Sequence, residues 1–132
     1  MKFKLLLFLF FFVSLTSCQE NKTNNLTDLS QEVCTKLKKH PLDTSEEKSK
    51  ENQRLGKIPM EVLNFSSFIE HVENLLPKHK KNVLEHYQIN KIEDKHLLKL
   101  WEDLIPQVAN CSNLSEQYLK DGFKKFKSSK GL

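Results

Sequence analysis

Apolar residues recur along most of this chain at the spacing of helix faces, and no stretch of useful length alternates as a strand would. Leu26, Leu29, Val33 and Leu37 form the first stripe, with Cys34 at its edge. His40-Pro41 closes it, because a residue before proline is pushed out of the α region. Phe65, Phe68, Ile69, Val72, Leu75 and Leu76 cover about 120° of a second face. Ser67 with Glu70 offers it a cap, and Pro77 is expected to stop it or to begin the next helix. Val83, Leu84 and Tyr87 then predict a short helix ending near Ile89. Asn90 with Glu93 reads as a capping box for a longer one. Its stripe, Leu97, Leu98, Leu100, Trp101, Leu104, Ile105 and Val108, spans about 160° and is the widest in the chain. Pro106 is expected to kink or interrupt this helix. A last helix from near Asn113 places Leu114, Tyr118, Leu119, Phe123 and Phe126 on one side, with Gly122 among them marking close approach to a neighbour. The predicted fold is all-α, a small bundle of four or five helices.

Two stretches break the pattern. Residues 42–57 are almost wholly polar, with Leu55 the one candidate for burial beyond the opening Leu42. They read as a solvated helix or a mobile linker, with Thr44 and Glu47 as a capping box and Gly56 as a stop. Residues 19–25 carry no apolar side chain and read as a tether.

The opening of the chain has another character. Lys2 and Lys4 precede an unbroken apolar run from Leu5 to Val13, and small or polar residues follow to Ser17. A basic segment, a short apolar one and a small-residue cleavage site define a secretory signal over residues 1–17. The run is far shorter than the roughly 20 residues a membrane span needs. Leu15-Thr16-Ser17-Cys18 resembles the lipobox of bacterial lipoproteins, a likeness confined to the N-terminal fifth of the chain. It implies diacylglyceryl transfer to the Cys18 sulfur, cleavage before Cys18 and acylation of the new amino terminus. Gln19 stands where an aspartate would resemble an inner-membrane retention signal, so the resemblance points to the outer membrane, facing periplasm or cell surface. The mature chain then comprises a lipidated Cys18 with a tether to residue 25 and one helical domain, residues 26–132.

Charge and cysteines sharpen the picture. Two of the 21 basic residues fall in the signal, leaving 19 against 17 acidic. That balance, and export itself, argue against a nucleic-acid partner. Cys34 and Cys111 remain once Cys18 is used, and an even pair in an exported chain predicts a disulfide. Such a bridge closes a loop of roughly 75 residues, worth on the order of 4 kcal/mol in the chain-entropy account. If the helix holding Pro106 runs on, Cys111 reaches its buried face and can meet Cys34.

Candidate chemistry is sparse. Gly56, Gly122 and Gly131 are too scattered for a phosphate-cradling loop, and neither G-x-S-x-G nor H-E-x-x-H occurs. Among His40, His71, His79, His86 and His96, only Glu93 with His96 has the i, i+3 spacing of di-iron bundles, and its required second motif is missing. Glu70, Glu73, Glu85, Glu102 and Asp103 are acids of the kind helix surfaces carry routinely. No metal, cofactor or catalytic residue is therefore expected. Residues 118–132 carry five lysines and one aspartate. Lys120, Lys124 and Lys127 lie opposite the apolar side, as either a solvated face or a contact with anionic lipid. The expectation is a non-enzymatic, lipid-anchored module that binds a protein or supports an envelope assembly. An immunity or inhibitor protein is the alternative within binding proteins, and a small envelope enzyme is the alternative of another class.

Overall fold

The structure, a computed structural model, describes residues 25–132. The signal, the lipobox and Cys18 lie outside the described residues. Five helices follow in order: α1 Thr27–Lys39, α2 Glu46–Arg54, α3 Met60–Tyr87, α4 Asp94–Cys111 and α5 Glu116–Lys130. No strand occurs among the described residues.

Helix α1 buries Leu29, Val33, Cys34 and Leu37, the predicted stripe. Asp28 sits in its first turn and Lys36, Lys38 and Lys39 in its last, each sign matched to the helix dipole. Within residues 42–57, Glu46–Arg54 form a solvated helix: α2 buries no residue and Leu55 is exposed, while Leu42, ahead of the helix, packs against the core instead. Its N-cap is Ser45 rather than Thr44. Gly56 follows it at φ +64°, the left-handed turn that glycine tolerates without a Cβ penalty.

Pro77 does not divide the next region. Residues 60–87 form one helix of 28 residues, about 42 Å long. Proline removes the N–H that would meet the Glu73 carbonyl. The helix nonetheless continues, because it is held on both sides of Pro77, by Phe65, Phe68, Ile69 and Val72 before it and by His79 and Val83 after it. Ser67 is no cap; it lies inside the helix, and its hydroxyl donates back to the Leu63 carbonyl. The helix ends at Gln88, in left-handed conformation, with the Ile89 N–H donating to the Leu84 carbonyl.

The capping box of α4 also shifts. Glu93, not Asn90, is the N-cap, and His96 Nδ1 accepts the Glu93 backbone N–H at 3.0 Å. Imidazole here takes the part that Glu or Gln plays in the usual box. Helix α4 passes through Pro106 to Cys111. Helix α5 begins three residues later than expected, at Glu116, where the Ser115 hydroxyl accepts the Tyr118 N–H.

Helices α1 and α5 each pack against both α3 and α4, which makes a four-helix bundle, while α2 rests chiefly on α3. The core joins Leu29, Val33, Phe65, Phe68, Val72, Val83, Leu100, Leu104, Ile105, Val108 and Leu119. Gly122 is buried where α5 meets α3: a Cβ there would stand 2.8 Å from the Glu61 carbonyl oxygen. Cys34 and Cys111 form a disulfide with their Cα atoms 6.0 Å apart, tying α1 to the end of α4.

Candidate functional site

The widest apolar stripe does more than fill the bundle. Leu100, Leu104, Ile105 and Val108 are buried, but Leu97 and Leu98 at the head of α4 stay half-buried. They form, with Trp101, Phe126 and Leu132, an apolar groove of about 320 Å³. Glu73 of α3, Asp94 of α4 and Lys130 of α5 stand at its rim.

An aromatic file backs the groove. Phe65 packs against Phe68, Phe123 and Phe126 at ring separations of 5.3, 5.2 and 5.7 Å. Trp101 meets Phe126 edge-on at 6.1 Å, which fixes both rings by shape and quadrupole. The Trp101 Nε1–H is the one buried side-chain donor or acceptor without a partner among the described residues. Leaving such a group unpaired costs about 1–3 kcal/mol. Neither Glu73 nor Asp94 enters an ion pair among the described residues. The groove thus couples an apolar floor to two uncompensated carboxylates and one ammonium.

Elsewhere the polar side chains are joined to one another as structural ties. Asn64, buried on α3, donates to the Asp43 carbonyl at 2.8 Å and to Tyr118 Oη at 2.6 Å, linking three elements. The Asp43 carboxylate in turn takes Lys48 at 2.6 Å and the Ser45 N–H at 3.0 Å, which pull its pKa down to about 2. Tyr87 donates to Asp103 at 2.7 Å; burial first, and then that carboxylate, push its phenol well above the usual range. Burial likewise raises Tyr118.

The histidines are spread out. His79 is buried, with Nε2 3.1 Å from Glu32 Oε1, and Lys78 reaches the same oxygen at 2.5 Å. The Lys78 bond, opposed by some desolvation and aided by His79, lowers the Glu32 pKa. His71 is half-buried, and loss of solvent lowers its pKa. His86 stacks edge-on against Tyr87, His96 closes the α4 cap, and His40 ends α1. No three His, Cys, Asp or Glu residues among the described ones gather at metal-binding distance.

The lysines of α5 are partly engaged. Lys120 pairs with Glu116 at 2.6 Å and Lys127 lies 4.4 Å above the Phe123 ring, while Lys124 is exposed. Lys127 therefore leans over the apolar side rather than standing opposite it.

Both cysteines are legible in the sequence, and so are four residues of the groove, Leu97, Leu98, Trp101 and Phe126, although their pattern reads as core; Asp94, Lys130 and Leu132 leave no such signal. A stripe of about 160° is wider than the face a bundle helix buries, and that excess was the available signal. The Asn64–Tyr118, His79–Glu32 and Tyr87–Asp103 pairs join residues far apart in sequence and leave no local pattern. No family model, curated protein or solved structure matches the chain.

Proposed function

We propose that this protein is a non-enzymatic lipoprotein of a bacterial envelope, held to the membrane through Cys18, whose helical domain binds a protein. The anchor is supported by Leu15-Thr16-Ser17-Cys18 behind a basic and apolar leader. Two or three acyl chains, at about 0.8 kcal/mol per buried methylene, would hold a domain of this size firmly. The lysine face of α5 would then lie near lipid head groups and add a weak, salt-sensitive attraction.

The observation that carries the binding half of this reading is the groove between α4 and α5. Half-buried Leu97 and Leu98, a fixed Trp101–Phe126 pair and a charged rim are what a docking surface for a protein segment requires: an apolar anchor site with polar groups at its edge. The test is a photoreactive phenylalanine analogue placed at Leu98 in the full chain, in cells that make it naturally. Irradiation should give a discrete protein adduct, and the same analogue at exposed Lys50 should give none. A Leu98 position that captures only lipid or solvent would defeat the reading.

A further inference from the structure

Four large apolar side chains are exposed among the described residues: Leu132 at 67 %, Ile58 at 57 %, Leu55 at 46 % and Leu63 at 41 %. Leu132 belongs to the groove. The other three belong to the α2–α3 corner, where Leu55–Pro59 projects between a helix that buries nothing and the start of α3. Arg54 precedes that projection and Lys57 lies within it, and neither enters an ion pair among the described residues. The α2–α3 corner thus offers Leu55 and Ile58 interleaved with two cations, in the order Arg54, Leu55, Lys57, Ile58. The groove offers an apolar floor beside two carboxylates outside any ion pair, Glu73 and Asp94, with Lys130 as the one opposing charge among its lining residues.

We infer that the groove receives the Leu55–Pro59 projection of a second copy of this chain, with Arg54 and Lys57 set against Glu73 and Asp94. This rests on the protein-binding reading above and names its partner. The projection joins α3 at Met60, whereas the α3 residue of the groove, Glu73, stands about 20 Å further along that helix, and none of residues 54–59 lines the groove of its own molecule. The contact is heterologous: a projection enters a groove, and each copy keeps one of each free for the next. Successive copies therefore assemble head to tail. A single loop in a groove is a small interface and weak in solution, but confinement of anchored copies to one membrane raises their effective concentration.

The photoreactive residue at Leu98 decides the partner when the adduct is mapped. The expected product has twice the chain mass, and its cross-linked peptide contains residues 54–60. Ile58→Asp should lower its yield at least about tenfold, by placing a carboxylate in the acid-rimmed groove. Arg54→Glu with Lys57→Glu should do the same, and adding Glu73→Lys with Asp94→Lys should restore the adduct. Ile58, Arg54 and Lys57 are exposed, so these changes leave the core intact. An adduct with a different protein only, or a copy-to-copy adduct mapping outside residues 54–60, overturns the second copy as occupant and leaves the binding reading standing. No protein adduct at all removes both.

Discussion

Gly122 is the residue at which the fold has least room. Its missing Cβ lets α5 lie against the Glu61 carbonyl and against Phe65, whose Cβ would be 3.2 Å from an added methyl. Alanine is the better helix former by about 1 kcal/mol, yet a backbone contact cannot turn aside as a side chain can. Gly122→Ala is expected to lower stability by about 1–3 kcal/mol, in the range of overpacked cores, as read by denaturant unfolding. Asp43 carries a different kind of constraint. Its carboxyl, held at about 2 by Lys48 and Ser45, is depressed from an unfolded value near 3.9. A depressed carboxylate contributes stability that is present above the unfolded value and is lost as pH falls through the folded one. The α1–α2 connection should therefore loosen between about pH 4 and pH 2. Asp43→Asn should raise amide exchange of α2 at pH 6 and abolish most of its change across that acid window.

At the scale of elements, the chain was most legible where periodicity was long and unbroken. The stripes of α1 and α4 and the close approach at Gly122 follow from spacing alone. Reading failed at the punctuation. Pro77 and Ser67 carry local signals for a helix end, and both are overridden by burial of α3 on either side of them. Asn90 with Glu93 has the residue types of the usual capping box, whereas the pair that forms, Glu93 with His96, uses an imidazole nitrogen to accept the N–H that Glu or Gln would take. The groove was hidden for another reason: periodicity reports which residues are apolar, not how much of a face the neighbouring helices cover. Pro106 gives a test of the helix continuity. It is exposed and leaves the Glu102 carbonyl without its in-helix donor. Pro106→Ala should raise stability by about 1–2 kcal/mol, the helix gain being reduced by greater freedom of the unfolded chain. A loss of stability in thermal unfolding would mean that α4 depends on the proline ring for its packing against α5.

The described residues form a four-helix bundle with a solvated arm, closed by one covalent staple. The 108 described residues make a modest core, and α2 adds nothing to it. Cys34→Ser should leave Cys111 open to alkylation and lower stability by about 2–5 kcal/mol, measured by thiol titration of the denatured, unreduced chain and by the thermal midpoint. Two titratable thiols in the wild-type chain would contradict the staple. The same bridge decides how the domain bears a pull. If the lipid at Cys18 holds one end and a bound partner draws on α5, tension enters at Leu26, runs along α1 to Cys34, crosses the disulfide to Cys111 and leaves through the last helix. Everything between the two cysteines lies off that line. The backbones of the polar arm, α3 and α4 carry none of that tension and stand beside a short, covalently continuous path. A tugged molecule would thus fray first at its outermost turns, and reducing agent should lengthen its fully stretched contour by roughly 250 Å, the reach of the 77-residue separation it releases.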